Sequence, residues 1–195
     1  MAKRPPQKRS GGSRRGRPPA GVSVKRSADG RSWLLVHPPG VRERADDMDE
    51  VREMIAAGET DVATDELRWL LTECSEMIEA HFLLGKLAAE AAGDVPLARG
   101  HFGFGYQLGQ RALKRAGNPH PLPALHPANR AFFDAGRGLA WCLRELDMRD
   151  LAVEVVEQLL AADPADPLGL AAWLDELRLG DAQLVTIDAL LGRGP

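Results

Sequence analysis

Cysteine is scarce in this chain. Cys74 and Cys142 are the only two, they fall in separate helix-like stretches, and no metal or redox spacing relates them. A disulfide framework is therefore not expected, and both are read as core thiols. Long apolar runs are lacking too: none approaches the length of a membrane span. The N-terminus is charged but has no apolar h-region, which argues against a secretory signal. Pro5-Pro6 and Pro18-Pro19 argue against an amphipathic transit helix. A cytoplasmic location is the expectation. Also missing are a Ser-His-Asp set, a phosphate loop, a metal-ligand motif and convincing paired carboxylates. A non-catalytic protein without a cofactor is therefore expected.

Charge is present but divided. The net charge is −3, yet residues 1–31 hold ten Lys or Arg against one acid, and the remaining 164 hold 15 against 27. Such a division points to a basic arm on an acidic body. Residues 1–31, rich in Pro and Gly with little to bury, are expected to form a disordered basic tail. Residues 32–45 contain SWLLVHPPGV. A lone strand would leave its backbone groups unpaired, so this stretch is expected to be an extended docked arm.

From Asp46 onward the apolar residues recur at three and four, the period of amphipathic helices. The clearest stretch runs from Asn129 to Pro164. One helix carries Phe132, Phe133, Leu139, Ala140 and Leu143, and a second carries Leu151, Ala152, Val155, Val156 and Leu159. Asn129 suits an N-cap and Asp163-Pro164 a stop. Earlier pairs are expected over 46–57 with 62–74 and over 77–92 with 95–115. A last pair over 168–179 with 181–191 is opened by Asp166-Pro167. Its final helix has few outward charges, so self-association through it is an expectation.

Ala140, Ala152 and Pro164 stand where a tetratricopeptide repeat places small residues at its helix contact and a proline after it. The stretch resembles that family. Markers recur at Ala63, Ala98, Ala152 and Val185, close to the family's step of about 34 residues, with an insertion before the third pair that includes a loop over about 116–128. The resemblance implies an all-α fold. It would be a superhelical stack of tetratricopeptide-like helical hairpins over 46–195, preceded by a disordered basic N-terminal tail.

It also implies a function: a protein-protein interaction scaffold whose groove is lined by the first helix of each pair. The family's groove positions fall on Arg52, on Phe82 and Lys86, and on Arg137, Trp141 and Arg144. Basic groups beside two aromatics would suit a protein or peptide partner of acidic character. Phe82 and Trp141 can equally pack under neighbouring helices. The Lys and Asn pairs of the family's carboxylate-gripping members are not found. In the tail, Arg14, Arg15, Gly16, Arg17 and Pro18 resemble an AT-hook, in which arginines enter the narrow minor groove of A·T-rich DNA. This supports an alternative, a nucleic-acid-associated adaptor whose tail binds DNA or RNA while the repeats recruit a partner.

Two oddities remain. Gly100, Gly103, Gly105 and Gly109 lie inside one expected helix, each costing about 1 kcal/mol against alanine. Gly105 suits a close-packing position, and the others are expected to admit the inserted loop. GFGYQLG lacks the preceding strand that a nucleotide loop requires. His101, His120 and His126 have no fixed zinc spacing, and His37 is read as a packing or surface residue.

Overall fold

The structure is a computed structural model that describes residues 21–179. It opens with strands β1 (Ser23–Arg26) and β2 (Trp33–Val36), followed by a short helix α1 (Pro39–Glu43). Seven further helices follow: α2 (Ala45–Ala56), α3 (Thr60–Glu73), α4 (Ile78–Glu90), α5 (Val95–Arg115), α6 (Pro127–Glu145), α7 (Arg149–Ala162) and α8 (Leu170–Leu179). The described chain is mostly helical, as the periodicity predicts. No described helix is long and apolar enough to cross a membrane.

Each of α2 to α8 packs on the next, and α4 also packs on α6 across the α5 step. The second helix of each pair turns a small residue inward: Ala63, Ala98 and Ala152 are all fully buried. A side chain on Gly85 would meet Phe102 at 2.6 Å, so α4 and α5 approach closely only because that position is glycine. Asp94 begins α5 by accepting the Leu97 N–H at 2.9 Å, satisfying one of the orphan donors of a helix start.

Three features differ from the sequence reading. The stretch around Trp33 is not a lone extended arm, because β1 pairs antiparallel with β2, Val24 opposite Leu35 and Arg26 opposite Trp33. The turn between them is Ser27-Ala28-Asp29-Gly30. Gly30 has φ +69, Asp29 accepts the Arg31 N–H, and Ser27 N–H donates to Ser32 O at 2.9 Å. Residues 23–31 thus belong to a hairpin, not to the tail, and 39–43 is helix. Val22 and Leu35 enter the main core, 1% and 2% exposed.

Asn129 is not the cap of α6. His126 holds that place, its Nδ1 accepting the Ala128 N–H. Asn129 is fully buried one turn in. Its Oδ1 accepts the Leu35 N–H at 2.9 Å, and its Nδ2 donates to Pro123 O and Trp33 O. One amide therefore joins the hairpin, the inserted loop and α6. The loop is seated at the far side as well. Leu122 N–H donates to Ala162 O, and Ala124 N–H donates to the buried Asp163 carboxylate at 2.8 Å. At the last turn, Asp166 accepts from Leu170 and Ala171, but Pro167 lies outside α8.

The glycines of α5 admit helices rather than the loop. A side chain on Gly109 would stand 2.3 Å from the Phe132 ring of α6, and one on Gly105 would crowd His81 and the Ile78 carbonyl of α4. Gly103 has only ordinary contact with Leu139, and Gly100 faces open space.

Candidate functional site

Phe82 and Lys86 stand four residues apart on α4, hence on one face of successive turns. Arg137, Trp141 and Arg144 recur at four and three on α6. Because α4 and α6 are in contact, these two rows face a common open groove of about 470 Å³. Five of the six expected groove residues therefore come together. Arg52 does not line this groove. Its guanidinium pairs with Glu79 of α4 at 2.8 Å and with Asp49 of its own helix.

The floor is Phe102, 4% exposed, beneath Gly138. A side chain at Gly138 would meet the Phe102 ring at 2.7 Å, so only glycine lets α6 lie this close. Phe82 packs 6.0 Å from Phe102, ring to ring, and touches all three apolar clusters of the protein. Phe82 and Trp141 are both half-buried. Each packs on neighbouring helices and also lines the groove, so the two alternative roles coexist.

Trp173 of α8 also lines the groove, and sequence reasoning missed it. A signal was present: Trp173 stands on the helix expected to open the last pair, at about the spacing expected of one repeat after Trp141. Asp134 and Glu90 at the rim were missed as well. They pair locally with the groove cations: Lys86 with Glu90 at 3.9 Å, and Arg137 with Asp134 at 3.7 Å. Arg144 pairs with its neighbour Glu145 at 2.6 Å. These three cations are 42–44% exposed. Such pairs are worth about 0–1 kcal/mol, so an incoming carboxylate can replace them at little cost.

Behind Trp141, Cys142 is fully buried, and burial pushes its thiol up to about 11. It is held as the thiol, which is a poor nucleophile. Cys74 is half-buried and also raised by burial. His101, His120 and His126 do not converge: among the described residues no three His, Cys, Asp or Glu side chains are placed to hold a metal ion. Arg14 to Pro18 and the expected helix over 181–191 lie outside the described residues. No protein-family model, curated protein or solved structure matches the chain.

Proposed function

We propose that this chain is a non-catalytic protein-interaction scaffold, a superhelical stack of tetratricopeptide-like hairpins that receives a partner segment in the groove between α4, α6 and α8. The observation that carries the reading is the convergence of Phe82, Lys86, Arg137, Trp141 and Arg144 with Trp173 on one open surface. Half-buried aromatic rings give an anchor residue apolar area at low entropic cost. The cations around them favour carboxylates. The partner segment is thus acidic, with a bulky apolar residue between its charges.

The test is capture of partners by the full-length protein, compared with Arg137→Glu/Arg144→Glu. The expected outcome is a principal partner lost from the double variant while its melting temperature stays near wild type. Undiminished capture by the folded variant would place the interaction elsewhere.

A further inference from the structure

The cations at the hairpin end differ from those of the groove. Lys25, Arg26, Arg31, Arg111, Lys114 and Arg115 are all exposed. None has a carboxylate partner among the described residues, whereas Arg52, Arg68, Lys86, Arg137 and Arg144 each have one. Arg42, which borders the same hollow as Lys25, belongs with the first group. Elsewhere only Arg99 and Arg149 share that condition among the described residues.

The sequence explains the difference. From Val95 to Phe133 there is no acid at all, and from Gly21 to Pro38 only Asp29. Asp29 is engaged with Ser27 and the Arg31 N–H inside the turn. Folding then brings these two acid-poor segments together. Strand β1 packs on α5, and Arg115 donates to the Val22 carbonyl at 2.7 Å. The cations at the end of α5 do suit a helix C-terminus, but that does not account for Lys25 and Arg26 on the strand that packs on α5, or for Arg31 beyond its turn. Glu76 reaches this end of the domain but accepts the Val22 N–H; the cations outnumber it, and an external anion relieves their mutual repulsion.

The chain also enters the domain here. Val22 N–H donates to Glu76 at 2.7 Å, and residues 1–20, which precede it in sequence, hold seven Lys or Arg and no acid.

We infer that the hairpin and the end of α5 form a nucleic-acid-binding surface that extends the basic N-terminal segment onto the folded domain. Its ligand is the phosphate backbone. The cations are spread over a strand, a turn and a helix end, which matches a line of phosphates better than a single carboxylate. Such contacts position a nucleic acid without reading its sequence. This surface is independent of the peptide groove.

The test is fluorescence anisotropy of a labelled DNA duplex of about twenty base pairs, titrated with full-length protein over a series of salt concentrations. Lys25→Glu/Lys114→Glu is compared with Arg137→Glu/Arg144→Glu, which changes the net charge equally. Neither Lys25 nor Lys114 makes a side-chain hydrogen bond among the described residues, and helicity and melting temperature verify the fold. The patch variant is expected to bind about tenfold or more weakly, with a salt slope shallower by about 2, since each phosphate neutralised contributes about 0.9. The groove variant is expected to stay within about twofold of wild type.

Equal losses in the two variants would mean that net charge alone matters, and would overturn the surface. So would unchanged binding in the patch variant, which leaves residues 1–20 to act by themselves, or no binding by wild type at low salt. Labelled polyglutamate bound as tightly, with the same dependence on Lys25 and Lys114, would make the ligand an acidic protein and overturn the nucleic-acid assignment. None of these outcomes bears on capture through the groove.

Discussion

The junction of hairpin, inserted loop and α6 uses its polar groups very differently from the groove. At the junction they are buried and satisfied: Asn129 is fully buried with three partners, and Asp163, 5% exposed, holds a loop amide. In the groove the three cations are half in water, and each leans on a carboxylate of its own helix. A buried polar group left without its partner costs about 1–3 kcal/mol, whereas an exposed ion pair is worth under about 1. The first region therefore holds the fold together. The second is where charge can be exchanged with a partner at almost no cost to stability.

Substitutions test this comparison, and the largest effect is expected in the main core. Ala152→Arg forces a charged chain into a fully buried helix contact, and a loss of at least about 4 kcal/mol is expected. Denaturant unfolding measures it, and a variant melting within a degree of wild type would refute the repeat register. Asn129→Leu leaves the buried Leu35 N–H without an acceptor. It should cost about 3 kcal/mol and, unlike a groove variant, speed hydrogen exchange in both the hairpin and the loop. Gly109→Ala drives a methyl group into the Phe132 ring. Overpacking of about 1–3 kcal/mol is partly offset by about 1 kcal/mol of helix propensity, so a smaller net loss by thermal melting is expected.

A pH dependence sharpens the contrast. His81 is buried on α4, its Nε2 against Ser75 O and its Nδ1 without a partner. Burial holds its folded-state pKa below the ordinary 6.5, and His101 reinforces this while the Ser75 carbonyl opposes it. Between the lowered folded value and 6.5 the unfolded chain binds more protons. This stability is therefore complete above about pH 6.5 and is lost as pH falls towards the folded value. His81→Gln should flatten the decline in melting temperature between about pH 7 and 5, though not abolish it, because His101 is also lowered by burial. An unchanged decline would assign the dependence elsewhere. The smallest stability effect belongs to Arg137→Glu/Arg144→Glu, within about 1 kcal/mol of wild type.

Helices were legible in the sequence because an apolar period is a local property, and α5 runs over Val95–Arg115 as the spacing predicts. Five of the six residues expected to share a surface do line one hollow, because the same register carries from α4 to α6. Arg52 failed because position on a helix does not reveal the pairing with Glu79 of a different helix. The hairpin was missed although Ser27-Ala28-Asp29-Gly30 is a turn signal. Its first strand is four residues inside a segment whose composition reads as tail, and β2 is held by Asn129, remote in sequence. The glycines of α5 were noticed, but the ring that fills the space at Gly109 comes from Phe132 of a helix not yet placed.

The central claim is that the surface between α4, α6 and α8 receives an acidic segment, and the chain carries its own probes for it. Of its four tryptophans, Trp141 and Trp173 line the groove and Trp33 and Trp69 do not. The measurement is fluorine NMR of full-length protein labelled with 5-fluorotryptophan, titrated with a synthetic peptide in which one phenylalanine is flanked by aspartate and glutamate. The account predicts that the Trp141 and Trp173 resonances move together, that Trp33 and Trp69 stay fixed, and that Arg137→Glu/Arg144→Glu abolishes the movement. Movement of Trp33 or Trp69 alone, or no movement of any resonance at millimolar peptide, would contradict it.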